Sequence, residues 1–261
     1  MFNKIFIVLN LLMLPLVALG FQFNYGSAQF NGSNQWFSIA DSTDISITGD
    51  LSLIAWTNPF SLLPDPNRNH ILTRWADAGA EKSWQFAISS SRLYFVVRNA
   101  AGSEESYDIA YTVPTNQWTH YAVTWKAASS LAIFYINTIE VGRVTGTLTD
   151  IKDATSDLEM GRYTNGSYHT GFIDDVQVWA VVRTPEQIKE SFCQEINTTS
   201  NDLRGYWKLN NVSGNALVDS SISSIADTLT NNNSITFPQD AGMNISERCK
   251  NNNSGKTWNT F

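Results

Sequence analysis

Leu51-Ser52-Leu53-Ile54-Ala55-Trp56-Thr57 is the stretch on which the reading of the fold turns. Successive side chains of a strand point to opposite faces. Leu51, Leu53 and Ala55 therefore share one side, with Ser52, Ile54 and Trp56 on the other. Working outward, further strands are predicted at residues 35–39, 71–75, 84–89, 93–98, 109–113, 118–125, 131–137, 140–144 and 172–180. They are rich in β-branched and aromatic residues and separated by Asn, Gly, Ser and Pro. So many short strands in one chain predict an all-β sandwich or barrel.

One helix interrupts the pattern. Thr184-Pro185-Glu186-Gln187 supplies a capping hydroxyl, a proline at the first helical position and a glutamine three residues past the cap. The glutamine can return a hydrogen bond to the backbone N–H of the cap. A short surface helix is predicted over 185–192. After Cys193 the composition turns to Asn, Ser and Thr, broken by one alternating apolar island at 203–209. Residues 231–234 and 251–254 read as turns or loops, and the last residues as frayed.

The N-terminus predicts export. One positive charge, at Lys4, precedes an apolar run from Ile5 to Leu19, and Ala18-Leu19-Gly20 places small residues where a signal peptidase reads. Residues 1–20 are expected to be a signal peptide, with an uncleaved anchor as the alternative. No later stretch is apolar enough to cross a membrane. The chain has two cysteines, Cys193 and Cys249, which in an oxidising compartment would most simply pair. Glycosylation sequons stand at Asn31, Asn165, Asn197, Asn211, Asn232, Asn244 and Asn252. A formal charge of -7 argues against nucleic acid and anionic membrane surfaces as partners.

Three blocks in order carry a family resemblance. Phe30-Asn31-Gly32-Ser33-Asn34-Gln35-Trp36-Phe37-Ser38-Ile39 resembles the opening strand of laminin-G-like modules of the concanavalin A-like lectin/glucanase type. Trp118-Thr119-His120-Tyr121-Ala122-Val123-Thr124-Trp125, followed by Phe134-Tyr135-Ile136-Asn137, resembles their central hairpin. Gly171-Phe172-Ile173-Asp174-Asp175-Val176-Gln177-Val178-Trp179, followed by the Thr184 helix, resembles their closing strand and helix, and also the pentraxin branch. The resemblance implies a two-sheet antiparallel jelly-roll β-sandwich over residues 21–192, with one short helix near its end. The island at 203–209 resembles the segment that usually opens such a module. Either it folds back onto the sandwich or it is the stub of a second module. A lone strand edge bearing Tyr206 and Trp207 would invite aggregation, which favours fold-back. A Cys193–Cys249 bridge would close a loop around it, contributing on the order of 4 kcal/mol in the chain-entropy model.

The chemistry predicted is binding. Glycosidases of this fold carry paired carboxylates on alternate positions of a cleft strand, and no predicted strand here carries such a pair. Glu104, Glu105 and Asp108 fall in a predicted loop, Asp153, Asp157 and Glu159 lack matching alternation, and Asp174 and Asp175 face opposite sides. Of the three histidines, His70, His120 and His169, the one in the central hairpin, His120, reads as structural. No nucleophile elbow or zinc spacing occurs. Ser254-Gly255-Lys256-Thr257 imitates the end of a phosphate loop, but Lys250 stands where its first glycine belongs.

The resemblance also implies a structural Ca²⁺ with Asp174 as a ligand, aided by backbone carbonyls and a partner near Asn31 or Asn34. The paired-calcium position of pentraxins would fall at Tyr163-Thr164-Asn165, which offers no carboxylate. Sugars are commonly bound by aromatic rings beside amides and carboxylates. Trp75 and Trp84 flank the polar loop 76–83, and Tyr163 and Tyr168 flank 165–167. These four rings are the expected binding rim. The expected function is an extracellular glycan-binding or adhesive module. The alternatives are a protein-interaction or structural module of a cell surface or matrix and, behind it, a glycoside hydrolase.

Overall fold

The computed structural model describes residues 26–78, 81–164, 166–210, 219–221, 230–232 and 235–238. Strand β3 (Leu51–Pro59) has Leu51, Leu53 and Ala55 facing the main core, as the alternation requires. Its other face is buried too. Ile54 packs with Ala122, Tyr135, Trp179, Ile188, Leu203 and Tyr206 in a second apolar cluster, and the Ser52 hydroxyl donates to the Val181 carbonyl at 2.7 Å. The strand is covered on both sides, which explains why its outward positions carry Ile54 and Trp56.

Around β3 a seven-stranded sheet forms. Its order is β1 (Ala28–Asn31), β14 (Thr170–Trp179), β3, β8 (Thr119–Lys126), β9 (Leu131–Ile136) and β10 (Ile139–Thr145), with β15 (Leu203–Trp207) also on β14. The second seven-stranded sheet runs β16 (Thr230–Asn232), β2 (Trp36–Ile39), β11 (Leu158–Met160), β4 (Asn69–Trp75), β5 (Lys82–Ile88), β6 (Arg92–Arg98) and β7 (Glu104–Ala110). A small hairpin, β12 (Arg162–Tyr163) with β13 (Ser167–Tyr168), forms a sheet of its own. All the pairings are antiparallel. Between the large sheets lie Phe30, Phe37, Trp84, Phe86, Phe95, Trp125 and Trp207, each at most 1 % exposed.

Helix α1 (Pro185–Cys193) begins with the expected capping box. Gln187 N donates to Thr184 Oγ1 at 3.3 Å, and Thr184 N donates to Gln187 Oε1 at 2.9 Å. The helix covers the outer face of the first sheet through Ile188 and Phe192, the latter against Trp56 and His120. His120 is fully buried there. Among the described residues, no helix is long and apolar enough to cross a membrane.

The segment after the helix joins both sheets. β1 pairs with residues 170–173 of β14, and β15 pairs with residues 176–179. The two strands lie end to end along one edge, separated where β14 bulges between Asp174 and Gln177. Asp175 adopts φ +48° at this bulge, and its Oδ1 accepts from the Tyr206 hydroxyl at 2.9 Å. On the other sheet β16 pairs with β2, and a bridge joins Gln29 to Thr236.

Two expectations need correction. Residues 30–39 are two strands in different sheets. Between them Asn31 Oδ1 accepts the N–H groups of Ser33 at 3.0 Å and Asn34 at 3.1 Å, and Gly32 takes φ +74°. The predicted strand at 109–113 is instead β7, whose residues 104–110 include the carboxylates assigned to a loop. β7 is an edge strand with exposed positions, where charge is tolerated and blunts edge-to-edge pairing.

Candidate functional site

Trp84, Phe86, Ile88, Leu93, Phe95 and Val97 point into the core, so the alternate residues of β5 and β6 point out. Pairing sets Thr73, Gln85, Val96 and Ser106 side by side across β4 to β7. A neighbouring row holds His70, Ala87, Tyr94 and Asp108. Over this face opens a cleft of about 470 Å³, with Arg68, His70, Gln85 and Val96 among its lining and Trp75, Lys82, Glu104 and Tyr163 around them.

The hairpin β12–β13 makes one wall. It is fastened to the sheet by Thr73 Oγ1 donating to Arg162 O at 3.3 Å and Thr164 Oγ1 donating to Trp75 O at 3.0 Å. Arg162 pairs with Glu159 and lies 3.6 Å over the Trp36 ring. Tyr163 is thereby held with its ring 5.2 Å from that of His70 and its hydroxyl donating to Asp77. On the far side Arg68 lies 4.1 Å over the Tyr94 ring and donates to Gln85 Oε1 at 3.2 Å.

The charges of the cleft are mostly matched. Lys82 Nζ stands 3.2 Å from both Asp77 and Glu104, and these partners hold its pKa above the ordinary lysine value despite the opposing cost of burial. The Tyr163 hydroxyl, with Lys82, keeps Asp77 below the usual carboxylate range. Burial pushes Glu105 up, but the N–H groups of Thr147 and Leu148 and the Tyr107 hydroxyl outweigh it and hold Glu105 low. His70 is lowered to about 3 by burial, and next by Arg68. It is a neutral imidazole at physiological pH.

Of the four rings expected at the rim, the structure brings Trp75 and Tyr163 to the cleft. Trp75 is only 4 % exposed, so Tyr163 offers the more accessible ring. Trp84 is 0 % exposed in the core and cannot reach a ligand, because it shares the inward parity of Phe86 and Ile88. Tyr168 sits on the hairpin, 6.1 Å from Trp36, outside the cleft lining. Arg68, His70 and Gln85 were missed by sequence reasoning. Only the outward parity of Gln85 could have signalled one of them.

A calcium cage does not fit Asp174. Its Oδ1 accepts the Asp175 N–H at 3.0 Å, and Asp175 is engaged by Tyr206. Asn31 pairs opposite Thr170, four positions along the strand, or about 13 Å away. Among the described residues no three His, Cys, Asp or Glu side chains converge, whereas Ca²⁺ takes six to eight oxygens. Cys193 is the last residue of α1, and Cys249 lies outside the described residues, as do residues 1–20 and Asn165, Asn211, Asn244 and Asn252. Asn31 and Asn197 are exposed, and Asn232 belongs to β16.

The described residues thus form a two-sheet jelly roll with an open cleft on one outer face. The chain belongs to the concanavalin A-like lectin/glucanases superfamily, whose laminin-G-type model matches residues 31–189. A comparison with curated proteins gives no match. Among solved structures, the chain is similar to a Bacteroides ovatus ATCC 8483 protein proposed to bind carbohydrate (TM-score 0.65, 20 % identity), over 85 % of this chain and 62 % of that one. It thus spans less than two thirds of that protein. It is also similar to the heptameric SAP-like pentraxin of Limulus polyphemus, with TM-score 0.49 and 13 % identity over 84 % of this chain and 94 % of that one. Domain 4 of an extracellular GH43 arabinanase from Geobacillus stearothermophilus, solved with arabinotriose, matches with TM-score 0.49 and 19 % identity over 63 % of this chain and 75 % of that one.

Proposed function

We propose that this chain is an exported carbohydrate-binding module that holds an oligosaccharide in the cleft over β4 to β7. The observation that carries the reading is the cleft itself. Tyr163 offers a ring for the apolar face of a pyranose, and Gln85, Asn67 and Arg68 stand within the same lining to read hydroxyls. Membership of a superfamily that includes lectins supports it, as does the reading of residues 1–20 as a signal peptide. The experiment is a glycan array probed with the full chain, followed by titration of the best ligands. Selective binding that Tyr163→Ala weakens at least tenfold would support the reading. A blank array from folded protein would sink it.

The hydrolase reading is weaker. Glu104 and Asp108 share the outer face of β7 but lie four residues apart, about 13 Å, beyond the spacing of either glycosidase class. Asp77 and Glu104 both pair with Lys82, and the Tyr163 hydroxyl together with Lys82 favours the ionised form of Asp77. Asp77 is thereby unsuited to act as a general acid.

One observation favours a protein partner as the second reading. Phe60, 38 % exposed, meets Phe172 edge-on at 5.1 Å, and Trp118 stacks on Phe172 at 5.9 Å. This aromatic patch lies on the first sheet, away from the cleft. Loss of a partner on Phe60→Ser, with glycan binding intact, would identify that patch as an interface.

A further inference from the structure

We propose that the ligand of the cleft is an acidic oligosaccharide whose sugar carboxylate is bound by Arg68; this rests on the carbohydrate reading above. Most charges around the cleft already have partners. Lys82 is shared by Asp77 and Glu104, Arg98 also pairs with Glu104, and Arg92 is shared by Asp65 and Asp108. Glu105 is taken by the backbone N–H groups of Thr147 and Leu148. Arg68 is different. Among the described residues it makes no ion pair, and its guanidinium donates one hydrogen bond, to Gln85.

A guanidinium carries five N–H donors in a planar fork that matches a carboxylate through two parallel bonds. Its place 4.1 Å over the Tyr94 ring and its bond to Gln85 restrain that fork before any ligand arrives. Less ordering is then needed on binding. Partial burial lowers the Arg68 pKa, and the nearby Asp108 and Asp65 act against it. A charge held this way is stabilised by an incoming anion that displaces little water. The rest of the lining suits a sugar ring carrying that anion. Gln85 lies beside the guanidinium and is hydrogen-bonded to neutral His70, whose ring neighbours that of Tyr163. A uronic acid residue places its planar carboxylate directly on the pyranose, so one ring can meet both Tyr163 and Arg68.

The test compares oligogalacturonides with their methyl esters, which keep the ring and lose the charge. Titrations use the full chain and the variants Arg68→Gln and Arg68→Lys, each checked for folding by thermal melting. The proposal expects the free acid to bind the wild type at least tenfold tighter than the ester. In Arg68→Gln that ratio falls to about one, whereas Arg68→Lys keeps part of it through charge without the fork. An ester that binds as well as the acid would overturn the proposal and leave the carbohydrate reading standing. Preference for a sulfated oligosaccharide over the uronate would overturn the carboxylate assignment. Failure of every saccharide, neutral ones included, would overturn both.

Discussion

At the scale of single residues, position parity decides what a side chain can do. Trp75 and Trp84 flank the same polar loop and look equivalent in sequence. Trp84 nevertheless belongs to the inward series with Phe86 and Ile88, so it is spent on the core. The inward series was legible, because 84, 86 and 88 are all large and apolar. Arg68 and His70 were not, since nothing local distinguishes a cleft-lining polar residue from a solvated one. Arg74 makes the same point from inside. Its side chain is 0 % exposed and donates to Ile45 O at 2.8 Å, Ser156 O at 3.3 Å and Asp153 at 3.2 Å, and also to Asp41 and Ala154 O. One guanidinium thus ties the 41–45 turn to the 153–156 loop. Arg74→Met would leave two carboxylates and three carbonyls without this donor. We expect a loss of about 1–3 kcal/mol in urea unfolding, the range for leaving buried acceptors without their donor. A loss below about 1 kcal/mol would mean that water replaces the guanidinium freely.

At the scale of elements, the sequence blocks identified strands well but not their partners. The pairing of β15 with β14 depends on a contact far along the chain, and periodicity carries no information about that. Gly205 shows how tightly β15 itself is packed. A Cβ there would lie 2.1 Å from the Trp207 ring, itself 1 % exposed within the core. Gly205→Ala should therefore cost about 1–3 kcal/mol through overpacking, read as a lower thermal midpoint. An unchanged midpoint would show that Trp207 can move without penalty. The helix was the most legible element, because its cap is local. Thr184→Ala removes one half of the capping box and should cost about 1 kcal/mol, with Thr184→Ser recovering most of it.

At the scale of the whole molecule, two buried neutral histidines make stability depend on pH. His70 is lowered to about 3 and His169 to about 4, each chiefly by burial. Unfolded histidine titrates near 6.5, so between these values the unfolded chain binds more protons than the folded one. Stability is then complete above about pH 6.5 and falls as the pH drops toward 4. At pH 5 each histidine would account for roughly 2 kcal/mol. Urea midpoints measured from pH 7.5 to 5 should decline, and His169→Gln should flatten the slope by about half. A flat profile in the wild type would show that neither imidazole is buried as described. Chelation bears on the same scale. Asp174 and Asp175 are tied to the backbone and to Tyr206, so EDTA should leave the melting temperature unchanged, and a drop of several degrees would point to a bound cation.

The central claim is that the face of β4 to β7 holds sugar. Its most direct test is titration of the best array ligand into the wild type, Tyr163→Ala, Gln85→Leu and, as a control on the opposite sheet, Phe60→Ser. The account predicts saturable binding to the wild type and to Phe60→Ser, with at least tenfold weaker binding in each cleft variant. Equal affinity in all four proteins, or a loss confined to Phe60→Ser, would contradict it and place the functional surface elsewhere.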